Sequence, residues 1–299
     1  MTSGMALSRH YWLSHGLPGL EKDFPQLLPH VAAGLLGEGS ECMGFDDVHS
    51  RDHDWGPGFC LWLPERLYEE YGAPLTRWYE TLPREFEGWP VKTVPDRVGI
   101  FEQVAFFTRF LGRIPETSLD WLQLPEQYLA VATSGEIFYD PSGRFTSLRN
   151  TLLVCPEQVR RKRLAARCVT MMQAGQYNYG RCISRDDSFA AALALREFVL
   201  AASSAIFLLN GRWMPFYKWI PRAMSELSRL GALCPLLAEL LSSSDGAYQR
   251  IEQVCSAVAD ELRRQNLTEL PGCDMQQLGL DIQKQLTDPV LKRLPVMAG

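Results

Sequence analysis

The feature that most constrains this chain is a change of hydrophobic rhythm near residue 145. Before it, short apolar runs alternate with Pro/Gly breaks and turns. After it, almost every apolar residue falls at helical spacing. No single uniform architecture accommodates both patterns. The spacing predicts an α+β fold: a mixed-sheet domain with flanking helices over residues 1–145, then a helical bundle over residues 146–299.

Within the first region, residues 27–36 have roughly helical spacing and run into Gly37, with Pro29 tolerable in a first turn; a helix is predicted there. Residues 55–63 (WGPGFCLWL) are aromatic-rich and alternate, which predicts a strand, and Pro64 then opens a helix through Glu70. A strand is predicted at RVGIF (97–101), followed by a helix at EQVAFFTRFLG with Gly112 as its stop. Residues 127–133 read as helix, EIFY (136–139) as strand and 140–143 as a turn. In the second region helices are predicted at 156–173, with Gly175 as a stop, and at 189–209, capped by Asp186, Asp187 and Ser188. Further helices are predicted at 216–230, 232–241, 247–265 and 275–286.

Composition then removes whole classes. With 299 residues, 46% hydrophobic and 22% charged, the chain can bury a core without disulfide or metal staples. The 189–209 run includes Arg196 and Glu197, so it predicts a bundle-core helix rather than a membrane span, and no membrane partner is expected. The first residues lack the apolar core of a signal peptide. The eight cysteines show no C-x-x-C spacing, and the H-x-x-x-H pair of His49 and His53 has no cysteine pair to complete a zinc site. Buried thiols and a cytoplasmic location are the expectation.

The net charge of −5 argues against nucleic acid as a partner. It divides unevenly: residues 1–150 carry 21 acidic and 12 basic side chains, a net of −9, and residues 151–299 carry 14 and 18, a net of +4. That division suits a metal on one wall of a cleft and an anion on the other, and it equally suits chance variation.

The chemistry is concentrated in residues 37–56, GEGSECMGFDDVHSRDHDWG. Six carboxylates and two of the five histidines lie here. Asp52 and Asp54 are two residues apart, so in an extended chain both point to one face. Two such carboxylates stay ionised together with a cation between them, and oxygen-only ligands favour Mg²⁺ or Mn²⁺. Upstream, Gly39 allows close approach of backbone to a phosphate, and Ser40 adds a hydroxyl and an N–H.

Gly39-Ser40, eleven intervening residues, then Asp52-x-Asp54 before a strand resembles the signature of the nucleotidyltransferase superfamily, the polymerase-beta-like fold. GSECMGFDDVHSRDHDWGP is similar to a bacterial group of that superfamily with a C-terminal domain of unknown function. The likeness continues through RVGIFEQVAFFTRFLG, GEIFYDPSGRFTSLR, YNYGR and PFYKW, covering about residues 30–225. A looser similarity is to aminoglycoside-type adenylyltransferases, which join the same catalytic domain to a helical bundle.

The resemblance implies an enzyme that transfers a nucleoside monophosphate from ATP or another nucleoside triphosphate to an acceptor hydroxyl, releasing pyrophosphate. Gly39 and Ser40 would hold the triphosphate, and Asp52 and Asp54 would bind the metal and carry catalysis. Ser50 would bond a phosphate oxygen, or else serve as a turn hydroxyl. Lys218, in PFYKW, would reach the triphosphate, or else snorkel over aromatic surface. A third carboxylate is expected within a hydrophobic-acid-hydrophobic triplet, but the matching Val98-Gly99-Ile100 carries glycine. Asp96, Glu102, Glu136 and Asp140 are the substitutes. Tyr177 to Arg181 would line an acceptor pocket or pack on the bundle. The basic side chains of residues 144–167 would form a phosphate-facing wall or a solvated helix face.

Two other functions compete. A chain without the third carboxylate suits a catalytically degenerate nucleotide-binding or antitoxin-like protein. A metal phosphohydrolase using His49, His53 and Asp54 would need further ligands, yet no histidine follows His53. The sequence lacks a G-x-x-x-x-G-K-[ST] loop, which excludes a P-loop enzyme at the motif level. The lack of a G-x-G-x-x-G after a strand argues against a dinucleotide enzyme. The lack of a G-x-S-x-G elbow, with every histidine before residue 54, argues against a hydrolase triad in the usual α/β order.

Overall fold

Five consecutive buried residues, Ala32–Leu36, form β1 at the centre of a mixed sheet, where the sequence spacing predicts a helix. A strand covered on both faces is apolar throughout, so it lacks the alternation that separates strand from helix. The computed structural model describes residues 3–51 and 55–299.

In chain order the elements are α1 (Gly4–Tyr11), α2 (Leu17–Asp23), β1, α3 (Ser40–Met43), β2 (Cys60–Leu63), α4 (Glu65–Thr81), β3 (Glu85–Phe86), β4 (Trp89–Pro90), β5 (Gly99–Glu102) and α5 (Gln103–Leu111). There follow α6 (Ser118–Gln123), α7 (Glu126–Thr133), β6 (Gly135–Tyr139), α8 (Arg144–Leu153), α9 (Glu157–Met171), α10 (Gly180–Ile183) and α11 (Ser188–Leu209). The last are α12 (Ile220–Ser225), α13 (Cys234–Ser242), α14 (Ala247–Arg264), α15 (Met275–Lys284) and α16 (Pro289–Arg293). The fold is α+β, as expected.

The chain divides into two compact units. One comprises Met1–Ile114 and Tyr128–Leu153, the other Pro115–Gln127 and Val154–Gly299. The first holds the four-stranded sheet, in the order β5-β2-β1-β6. β1 is antiparallel to both β2 and β6, while β2 and β5 run parallel. Leu61 and Leu63 of β2 pack one face against Tyr11, Trp12, Leu20, Leu75 and Trp78. Trp62 points the other way, stacking on Phe145 of α8 at 4.1 Å and meeting Phe106 of α5 edge-on at 5.2 Å. The sheet is thus covered by helices on both faces. The predicted strand over 55–63 is confined to its last four residues, while the helix after Pro64 runs on to Thr81.

The second unit is helical. α9 packs on α11 and α15, and α14 packs on α11 and α13. α11 is long and apolar enough to cross a membrane by length and composition, and 67% of its most apolar stretch is buried within the protein. Asp187 caps it by accepting the Ala190 N–H at 2.9 Å, the predicted start signal. Gly175 does not stop a helix. The chain winds on through a π-helical stretch, Met172–Tyr179, and a Cβ at Gly175 would lie 3.0 Å from Ile251. That glycine permits close packing rather than a turn. The helix predicted over 216–230 is a 3₁₀ turn plus α12, because Pro221 starts a new helix and Leu230 adopts a left-handed conformation (φ 59°).

Candidate functional site

β1 runs antiparallel to β2, and β2 parallel to β5. The C-terminal end of β1 and the N-terminal ends of β2 and β5 therefore meet at one end of the sheet. The acidic segment connects β1 to β2 at this end.

The connection opens with a turn that only glycine adopts readily. Gly37 has φ 107° and Gly39 φ 127°. Ser134, the residue between α7 and β6, fixes the turn: its hydroxyl donates to the Gly37 carbonyl at 2.9 Å, and its own carbonyl accepts the Gly37 N–H at 3.2 Å. A Cβ at Gly39 would lie 2.7 Å from the Glu41 carboxylate. Glu41, 3% exposed, forms an ion pair with Lys92, 5% exposed. Removing either partner of such a pair strands a charge in the interior, which makes the pair a determinant of the turn's position. Beside it, burial and then the Glu41 charge push the Cys42 thiol well above its ordinary range. Ser40 opens the single-turn α3, with its hydroxyl 3.5 Å from Glu41 Oε2.

The other carboxylates of the segment separate by role. Asp46 accepts the Gly4 N–H at 2.7 Å and Trp55 Nε1 at 3.1 Å. Asp47 accepts the N–H groups of His49 and Ser50 at 2.9 and 3.2 Å. The Ser50 hydroxyl accepts the Asp47 N–H at 3.1 Å, so it serves the local turn. Glu38 is exposed. Asp52, His53 and Asp54 lie outside the described residues. Arg51, the residue before them in sequence, has its guanidinium 4.8 Å from the ring centroids of both Trp55 and Trp89. By donor chemistry Asp52 and Asp54 suit Mg²⁺ or Mn²⁺. Glu41, Asp46 and Asp47 have other partners. Among the described residues no group of three or more His, Cys, Asp or Glu side chains could hold a metal.

Gly99 begins β5 opposite Cys60 with φ 126°, and a Cβ there would meet nothing within 4 Å. Space is open, but the backbone is strained for any side chain. Three of the four substitute acids have structural partners. Glu102 caps α5 by accepting the Val104 N–H at 2.8 Å, Glu136 pairs with Arg9, and Asp140 accepts the Thr146 N–H and hydroxyl, both at 2.8 Å. Asp96 stands just before β5, and its carbonyl accepts from Arg109 Nη1.

In the second unit Lys218 is exposed, with Nζ 5.2 Å from the Trp219 ring centroid. Arg181 lies over the Tyr177 ring at 4.8 Å, and Tyr179 is buried. Side chains of the basic run are engaged by their own units. Arg149 donates to the Thr133 and Gly135 carbonyls, and Arg160 and Arg161 pair with Glu157. Buried Lys162 donates to the Pro295 and Val296 carbonyls. Arg163 and Arg167 meet the buried Glu126 at 3.6 and 3.1 Å.

Sequence reasoning passed over Lys92, Ser134 and Arg109. Lys92 and Ser134 are isolated in sequence and reach the turn only through the sheet and its loops. Arg109 had one signal, its placement between phenylalanines in FFTRF.

Comparison with known proteins adds a partial match. A family model described as a domain of unknown function (DUF4037) matches residues 121–220. No curated protein matches the chain. A solved structure described as a nucleotidyltransferase-like protein from Exiguobacterium sibiricum 255-15 is similar, with 12% identity and a TM-score of 0.36. The alignment covers 88% of this chain and 77% of that one.

Proposed function

We propose that the protein is a Mg²⁺-dependent nucleotidyltransferase that moves a nucleoside monophosphate, AMP from ATP, to a hydroxyl of a small molecule or protein. The observation that carries this reading is the glycine turn at the end of β1. Gly37 and Gly39, both at positive φ, turn the chain at the sheet end from which the Asp52–Asp54 segment leads into β2, with Gly37 buried, Gly39 and Ser40 half-buried and Glu38 exposed.

In this reading the Gly39-Ser40 backbone and the Ser40 hydroxyl bind the triphosphate. Asp52 and Asp54 hold the Mg²⁺, which when bound supplies charge neutralisation at the phosphates. The acceptor oxygen forms a bond to the α-phosphorus as the α–β anhydride bond breaks. The hydroxyl proton passes to solvent or a nearby base, and pyrophosphate leaves. Lys218, carried over from the resemblance, is a proposed triphosphate contact, and the cytoplasm the proposed location. Pyrophosphate release from ATP, measured across a panel of hydroxyl acceptors, tests this reading. Turnover by the wild type that vanishes in Asp52→Ala and Asp54→Ala supports it, and undiminished turnover in both variants contradicts it.

A second reading is favoured by Gly99: a degenerate nucleotide-binding or antitoxin-like protein. A backbone at φ 126° disfavours any acidic side chain where the third carboxylate is expected. Nucleotide binding without product for every acceptor would select it.

A further inference from the structure

Arg109 lies on α5 at the same end of the sheet as the glycine turn. Its guanidinium carbon is 4.8, 4.3 and 4.5 Å from the ring centroids of Phe101, Phe106 and Phe110. Nη1 donates to the Asp96 carbonyl. These contacts fix the plane of the fork before any ligand arrives. Nη2 is directed at the turn: a Cβ on Gly37 would lie 3.4 Å from it. Gly37 thus leaves room for a cation beside its own backbone.

Among the described residues no carboxylate is in ion-pair contact with this guanidinium, although Glu38 and Asp96 act on it through space. Burial among the rings holds its pKa below the usual arginine value, and it nonetheless stays charged at any ordinary pH. The residue as a whole remains exposed to solvent. A preoriented, reachable guanidinium with no carboxylate in ion-pair contact among the described residues, beside a half-buried glycine turn, is an anion-binding arrangement. Arginine suits it better than lysine because the planar fork both stacks on rings and presents paired donors.

We propose that Arg109 binds the polyphosphate chain of the nucleotide at the Gly37–Gly39 turn, an assignment that rests on the nucleotide reading above. The ligand class is a nucleoside triphosphate, recognised here through its phosphates rather than its base.

The test is equilibrium binding of ATP, inorganic tripolyphosphate and AMP, each with Mg²⁺, to the full-length wild type, Arg109→Ala and Arg109→Lys. Loss of a charge-assisted contact should weaken ATP and tripolyphosphate roughly 10- to 100-fold in Arg109→Ala. Arg109→Lys should fall between, and AMP should change little. Should Arg109→Ala fail to fold, Arg109→Lys alone decides. Wild-type ATP affinity in the folded variants overturns the assignment and leaves the nucleotide reading standing. An equal loss for ATP, tripolyphosphate and AMP means a structural role and also overturns it. A wild type that binds neither ATP nor tripolyphosphate overturns the nucleotide reading and this assignment together.

Discussion

Glu41 and Glu126 are each 3% exposed and each is paired with basic chemistry, Lys92 for the first and Arg163 with Arg167 for the second, yet their settings differ. Glu126, in the helical unit, is enclosed by Arg163 and Arg167, by the Ser204 hydroxyl at 2.6 Å and by the Met214 N–H at 3.4 Å. Both of its oxygens are engaged from several elements, the pattern of a group that holds helices together. Glu41 relies mainly on Lys92, and it lies directly against a positive-φ glycine turn whose Gly39 is half-buried. A charge with one strong partner transmits any change in that partner to the turn. The same chemistry is a structural network in one unit and a support for the candidate site in the other.

The largest expected effect breaks the enclosed network. Glu126→Ala leaves Arg163 buried without its carboxylate and should cost about 3–5 kcal/mol, read as a lower denaturation midpoint. A loss below about 1 kcal/mol would mean that the carbonyls of Trp121, Leu122 and Leu124, which also accept from Arg163, suffice alone.

Lys92→Met should cost about 3 kcal/mol by stranding Glu41, and adding Glu41→Gln should restore much of it. No recovery in the double variant would show that Lys92 acts through its packing rather than through the pair. Next in size is Gly39→Ala, expected to cost about 1–3 kcal/mol because it meets both an unfavourable φ and the Glu41 carboxylate. Gly99→Ala has the same kind of φ but open space and should cost only about 1 kcal/mol. Equal costs would remove the Glu41 contact from the account of the turn.

The smallest effect is a pH dependence shared by both units. Burial pushes the thiols of Cys60 and Cys168 up from 9.0 to about 12. Each therefore contributes stability that is present below pH 9 and lost as pH rises towards 12. At about pH 10 the loss should be roughly 1 kcal/mol per thiol, and Cys60→Ala or Cys168→Ala should flatten that decline in urea midpoints.

Much of the architecture was legible in the sequence where local signals were strong. Gly112 and the Asp187 cap bound α5 and α11 as expected, and β5 and β6 fall where RVGIF and EIFY place them. β1 was misread because its surroundings, not its own pattern, decide between strand and helix. The glycine turn was legible as Gly39-Ser40, because a positive φ leaves its mark on residue choice. Its supports were not. Lys92 and Ser134 converge on it from two separate connections and Arg109 from α5, and the register that brings them together is absent from any short window. The acidic density of residues 38–54 also overstated the candidate site, since Glu41, Asp46 and Asp47 prove to have local partners.

The most direct test of the central claim is calorimetric titration of the full-length protein with ATP, with and without Mg²⁺, alongside Asp52→Ala. The account predicts binding at micromolar strength that requires Mg²⁺ and is lost in the variant. No heat from ATP or any other nucleoside triphosphate under either condition would contradict it, leaving the glycine turn as a structural element of a protein that recognises something else.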